Sequence, residues 1–187
     1  MTQEFIEFVK TIGPILVGLA AIVASYILNQ KMLKLKRNED RIEMINRKLS
    51  EFYGPFQQYR RKSTELYKRF TYGKPNDFRT VTALLKGEKF SGNDEVLLKE
   101  IIDIGKKVEN LILSKSGLID DEKLRNDLLP RVGTHILLLR LMYEGVIKGE
   151  SENEIERFKR DVFPREIDDE IEKRIQELEI QLEEIKS

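Results

Sequence analysis

An all-α chain, with a single N-terminal transmembrane helix followed by a cytoplasmic bundle of long, coiled-coil-like helices, is what the 187 residues predict, and three observations carry that prediction. Residues 12–28 contain no charge. Apolar residues then recur at spacings of three and four through almost everything that follows. No segment alternates as a half-buried strand would, and no Gly-rich phosphate loop, internal repeat or low-complexity segment interrupts the pattern. Composition narrows the chemistry as well: 33 Lys+Arg balance 33 Asp+Glu, Cys and Trp are absent, and there is one His. Without Cys there is no disulfide framework, thiolate metal site or Cys nucleophile, and one His excludes a multi-His cage. No cofactor and no metal are expected.

The uncharged run IGPILVGLAAIVASYIL covers 17 residues, roughly 25 Å of helix, which Phe5, Phe8 and Val9 can extend to match a bilayer core. A signal peptide would carry a basic leading region, whereas Glu4 and Glu7 outweigh Lys10 and no A-x-A site follows. Seven cations lie just after the run, Lys31, Lys34, Lys36, Arg37, Arg41, Arg47 and Lys48, against one before it. The excess predicts an external N-terminus, residues 1–11, and a cytoplasmic chain from about residue 30, with Tyr26 at the headgroups. Pro14 is tolerated near the start of a helix, or Gly13 and Pro14 separate a short amphipathic stretch from the span; both leave one crossing. Gly18, Ala21 and Ser25 recur at helical spacing and lead to Asn29. Such a stripe lets backbones of neighbouring copies approach, or lines a watery path in a larger oligomer; Gly and Ala are also ordinary residues of spans. Lipids, met at the surface by Lys31, Lys34, Lys36 and Arg37, and further copies of the chain are the expected partners.

Leu35, Ile42, Ile45, Leu49 and Phe52 continue the helix as a basic juxtamembrane segment, residues 29–53, expected to end at Gly54-Pro55. Within residues 54–164 a helix with Phe56, Tyr59, Ser63, Leu66 and Phe70 on one face is closed by the turn-rich 72–77. A short helix with Phe78, Val81, Leu84 and Leu85 follows. The 91–94 stretch SGND supplies caps for a long helix carrying Leu97, Ile101, Ile104, Val108 and Leu111, with Gly117 as its C-cap. Asp120 opens the next element, which Pro130 divides, and its second part, 132–146, is apolar nearly all round and is expected at the centre of the bundle. Ile155 and Phe158 mark a short helix ended by 162–164. Residues 165–187 then place Ile167, Ile171, Arg174, Leu178, Leu182 and Ile185 at alternating four and three, a heptad seam in an acidic helix.

The even total charge hides segregation. Residues 29–70 hold 12 Lys/Arg against 5 Asp/Glu, a net +7, while residues 150–187 hold 7 against 14, a net −7. Basic and acidic helices can pair within or between copies, or the acidic tail can recruit a cytosolic protein. The seam with its few apolar residues must dock, and it is expected antiparallel on residues 35–53 of its own or a neighbouring chain.

Catalytic footholds are few. The carboxylate pairs Asp120-Asp121 and Asp168-Asp169 fit helix capping and solubility. Arg131 and His135, one turn apart, could hold a phosphate and move a proton, although His135 beside Ile136 and Leu139 also reads as a core imidazole. Aromatics interleave with Arg60, Arg61, Lys62, Lys68 and Arg69 as in RNA-stacking platforms, but Phe56, Tyr59 and Phe70 belong to the core stripe and are not free to stack on bases.

The short Gly-led span, the basic juxtamembrane helix, the FYGP turn at 52–55 and a helical bundle with one Arg/His pair resemble uncharacterised single-pass bacterial membrane proteins. They also look like the membrane-anchored HEPN-like accessory proteins of type VI-B CRISPR systems. That resemblance implies a bacterial inner-membrane protein whose helical domains and spans assemble into an oligomeric pore supporting antiphage defence. The family's nuclease signature sets four to six residues between Arg and His; here three separate Arg131 from His135, and Arg125-Asn126 lies too far upstream. The resemblance therefore implies membrane assembly more than RNA cleavage.

Overall fold

The computed structural model describes residues 3–149, 151–159 and 161–186, with the backbone alone for residues 3–9, 11, 14, 15 and 159. The expected contributions of the Phe5, Phe8, Val9 and Pro14 side chains lie outside the described residues. The chain is helical, with no strand among the described residues, and one helix is long and apolar enough to cross a membrane. It divides into two compact units, Met1–Met44 and Ile45–Ser187.

The first unit is one helix, the greater part of α1 (Gln3–Lys48). Its backbone is helical through Gly13 and Pro14, so no break precedes the apolar run. Every side chain from Leu16 to Arg37 is exposed. Among the described residues nothing covers these Leu and Ile side chains, so they gain nothing from burial there.

In the second unit the helical path does not end at Gly54-Pro55. A π-turn over Leu49–Tyr53 leads into α2 (Gly54–Phe70), and the Gly54 N–H donates to the Leu49 carbonyl. The same device recurs at the other proline: a π-turn over Leu124–Leu128, in which the Leu129 N–H donates to the Leu124 carbonyl, leads into α5 (Leu129–Tyr143). Each π-turn closes on the residue just before a proline. A proline ring crowds the carbonyl four residues back and supplies no N–H, and a widened turn shifts the ladder by one residue so that the helix continues. At position 54 a Cβ would stand 2.8 Å from the Leu49 carbonyl oxygen, so any other residue there would force a local shift, one that the second turn makes room for with Leu129.

Helices α3 (Thr80–Leu85), α4 (Asn93–Ser114), α6 (Glu152–Lys159) and α7 (Glu166–Lys186) complete the unit. At the start of α4, Gly92 takes the cap position with φ +59 and no side chain caps; Lys115 rather than Gly117 ends the helix. One core joins Phe52, Tyr53 and Phe56 to Ile104 and Val108 of α4, to Leu124, Leu128 and Val132, and to Ile167, Ile171 and Leu178 of α7. A second gathers Phe70, Leu84, Leu85, Leu98, Ile102 and Met142.

The central position belongs to α4, which packs against both α2 and α5 and buries Leu98, Ile101, Ile102, Ile104, Gly105 and Val108. Helix α5, expected there from its all-round hydropathy, buries only Leu129, Val132 and Met142, and its Leu137 to Leu141 stretch is half-buried. Hydropathy counts apolar residues; whether they are covered depends on neighbours on each side, and Gly105 lets α4 approach one side of α5 closely, with Ile136 Cγ2 3.0 Å from where a Cβ would stand.

Candidate functional site

Arg131 and His135 do share a crevice, of about 210 Å³, lined also by Pro130, Thr134, Asp161 and Val162. The π-turn before Pro130 sets the phase of α5, so both residues project toward the segment joining α6 to α7. His135 Nδ1 lies 2.7 Å from the Asp161 carbonyl oxygen. A carbonyl only accepts, so Nδ1 carries the proton and Nε2 of the neutral ring is the acceptor. Burial pushes the imidazole below its ordinary value, against the pull of the Asp161 carbonyl, and the Arg60 charge adds to the depression. Phe163 meets the ring edge-on at 5.5 Å. On Phe163, in turn, lies the Arg60 guanidinium, 3.8 Å from the ring centroid, with two bonds of 2.9 and 3.0 Å to Asp168. His135 is thus one part of a clasp that fastens the start of α7 to α2 and α5.

Arg131 is engaged too. Its Nη1 donates to Glu166 at 2.9 Å and stands 3.8 Å from Asp127. A phosphate approaching Arg131 would compete with two carboxylates, and Nε2 is the one ring nitrogen left for proton transfer. Among the described residues there is no group of acidic or imidazole side chains that could hold a metal ion.

The sequence missed a second charged centre. Asp120 accepts from Lys48 Nζ at 2.6 Å, from Arg174 Nη2 at 2.6 Å and from the Tyr53 hydroxyl at 3.2 Å. Burial would raise its carboxyl, yet the bonds from Arg174 and Lys48 outweigh this and hold it at about 2. Tyr53 is pushed well above its usual range by burial and by the Asp120 charge. Asp121, by contrast, does what its position suggests, its Oδ1 accepting the Leu124 N–H at 2.7 Å. The available signal for Asp120 was Arg174: a cation inside an otherwise apolar seam needs an anion on the facing helix or loop.

The acidic face of α7 is also occupied within the chain. Asp168 meets Arg60, Glu170 meets Lys123, and Glu166 meets Arg131. Helix α7 does run antiparallel to the path from Lys48 through α2, since Asp168 near its start lies on Arg60 and Arg174 shares Asp120 with Lys48. Its charged partners are mostly on α2 and beside α5 rather than in 35–53. Of the aromatics beside the basic residues of α2, Phe52, Phe56 and Phe70 are fully buried and Tyr72 is exposed.

On α1, Gly18, Ala21, Ser25 and Asn29 are all exposed, and a Cβ at Gly18 would meet nothing within 4 Å. Lys31, Lys34, Lys36 and Arg37 are exposed and form no ion pair among the described residues, whereas Arg47 and Lys48 are paired with Glu51 and Asp120. The chain was compared with family models, curated proteins and solved structures, and none of them matches it.

Proposed function

We propose that this chain is a single-pass membrane scaffold or effector whose cytoplasmic helical bundle self-associates and brings the spans of several copies together. The observation that carries the reading is the uninterrupted exposure of α1 from Leu16 through Leu28, where Leu16, Val17, Ile22, Val23 and Leu28 are each more than half exposed. A bilayer covers such a surface, and the free cations Lys31, Lys34, Lys36 and Arg37 favour a cytoplasmic side for the residues after it. Gly18, Ala21, Ser25 and Asn29 then form the face on which spans meet, and an oligomeric pore acting in antiphage defence is the form this assembly takes if the resemblance holds. The partners of Arg131, His135 and the α7 carboxylates favour a structural role for these residues over a catalytic or recruiting one. The test is the mass of the detergent-solubilised protein: an oligomer is expected, falling toward monomer in Gly18→Leu or Ala21→Leu, and a monomer before and after substitution overturns the reading.

A second reading, a membrane-tethered HEPN-like ribonuclease, draws on the crevice that holds Arg131, Thr134 and His135 together. RNA degradation that vanishes in His135→Ala while the oligomeric mass persists would favour it.

A further inference from the structure

Three phenylalanines from three segments meet around one ammonium beside the C-terminal end of α2. Phe70 of α2, Phe78 before α3 and Phe90 before α4 stand 5.2 to 6.4 Å apart, centroid to centroid, with interplanar angles of 65°, 72° and 83°, so that their planes form the corner of a box. Lys74 Nζ lies over all three rings, 4.8, 5.2 and 5.3 Å from their centroids, and donates to Asp94 in the first turn of α4 at 2.6 Å. Phe70 is fully buried, whereas Phe78, Phe90 and Asp94 are half-buried, so the corner reaches the surface. Lys74 enters it from a turn whose backbone bonds close locally, the Lys74 N–H donating to the Thr71 carbonyl and the Phe78 N–H to the Pro75 carbonyl, with Gly73 at φ +77.

The distances identify the cation that fits. A ring face attracts a cation within about 6 Å of its centroid, but direct contact is closer, as where the Arg60 guanidinium lies 3.8 Å from the Phe163 centroid. Nζ stands farther than that from each of its three rings. A methyl carbon about 1.5 Å from the nitrogen and about 3.5 Å from a ring puts the nitrogen about 5 Å from the centroid, which is the spacing found here. The Asp94 carboxylate, in contrast, needs an N–H. Of the nitrogen's four positions one is the alkyl chain and one the proton for Asp94, which leaves two for methyl groups against the rings.

We propose that Phe70, Phe78, Phe90 and Asp94 form a binding site for an N-methylated ammonium that keeps one N–H, with the Lys74 side chain as its occupant in this structure. The site lies wholly in the Ile45–Ser187 unit and does not rest on the membrane reading. Methylation of the occupant keeps its charge and fills the gap to the rings, while a neutral side chain forfeits the ring attraction and leaves Asp94 without its partner. A free ligand of the same class competes with Lys74 and enters when the turn swings that side chain out, so its apparent affinity is reduced by the fraction of chains in which the corner is vacant.

The chain contains no Cys, so Lys74→Cys in the full-length protein, in a non-ionic detergent, supplies a single thiol. Alkylation converts it to the aminoethyl, the dimethylaminoethyl or the neutral, isosteric 3-methylbutyl thioether. The dimethylaminoethyl product is expected to melt highest, on the order of 3 °C above the aminoethyl one, and the 3-methylbutyl product lowest. A dimethylaminoethyl product that melts at or below the aminoethyl one leaves only an ion pair with Asp94 and overturns the proposal; a neutral product that melts as high as the dimethylaminoethyl one overturns it as well. A second arm empties the corner with Lys74→Ala. Trimethylammonium chloride, followed by saturation-transfer NMR of its methyl groups, should bind this variant about tenfold more tightly than the unsubstituted protein, and adding Phe90→Leu should remove the binding. No binding to a Lys74→Ala variant that is folded by circular dichroism, or equal binding to all three proteins, overturns the site; if Lys74→Ala does not fold, the alkylated series decides alone.

Discussion

Helix α7 and the 28–42 stretch of α1 carry similar apolar stripes, at alternating four- and three-residue spacing among many charges, and meet opposite fates. In α7, Ile167, Ile171 and Leu178 are fully buried, and carboxylates on either side are matched by Arg60, Lys123 and Arg131. In α1, Leu28, Met32 and Leu35 stay exposed, and among the described residues no ion pair engages the charges beside them. The difference teaches that periodicity reports a helix that needs a partner, not whether the partner lies in the same chain. Where the chain supplies one, the seam becomes core; where it supplies none, the seam stays exposed.

The contrast should be sharpest on truncation of the apolar side chains. Ile171→Ala is expected to lower the stability of the Ile45–Ser187 unit by about 3 kcal/mol, through lost transfer energy and the cavity left behind, whereas Leu35→Ala should change it by less than about 0.5 kcal/mol. Urea unfolding followed by circular dichroism measures both; equal losses at the two sites would erase the distinction.

A smaller effect is expected at the charged centre. Asp120→Ala leaves Lys48 and Arg174 facing one another without their shared anion, and should cost roughly 2 kcal/mol after allowance for the partial solvent access of the group. The pH dependence follows from the same carboxyl. Its value of about 2, below the ordinary 3.8, means that its contribution is complete above about pH 4 and is lost as pH falls toward 2. Thermal melts of the variant should lack the part of the acid loss that the unsubstituted protein shows in that window.

Smaller still is the effect of His135. Burial holds its imidazole below the ordinary 6.5, so the folded form binds this proton less readily than the unfolded chain. Stability from this source is full above about 6.5 and declines as pH falls below it. His135→Gln should flatten the decline between pH 7 and 5, and an unchanged slope would remove His135 from the clasp with Phe163 and Arg60.

Most helices were legible in the sequence because their apolar faces repeat: Ile101, Ile104 and Val108 in α4, and Ile167, Ile171 and Leu178 in α7, are buried as their spacing suggests. The path through Pro55 and Pro130 was not. Proline reads as a boundary, and only backbone geometry reveals that a π-turn absorbs each one. Leu35 through Phe52 read as a single stripe, yet Leu35 is exposed and Ile45 and Phe52 are buried, because what covers a stripe is a tertiary matter. For the same reason α5 was misplaced at the centre. At the candidate site, sequence proximity brought Arg131 and His135 together correctly, but their engagement by Glu166 and the Asp161 carbonyl depends on residues some 26 to 35 positions away. Asp120 read only as a capping carboxylate, because its partners Lys48, Tyr53 and Arg174 lie 54 to 72 positions away, and only the cation in the α7 seam hinted at it.

The central claim is that the exposed apolar part of α1 is covered by a bilayer, and a single thiol tests it most directly. With Ile22→Cys in the otherwise Cys-free protein, in native membranes, a water-soluble maleimide should fail to react until the membranes are dissolved and the chain is denatured, while Ser91→Cys in a second sample of opened vesicles should react at once. Reaction of Ile22→Cys as fast as Ser91→Cys before denaturation would show that water reaches the helix, and the account of this chain as a membrane scaffold would be contradicted.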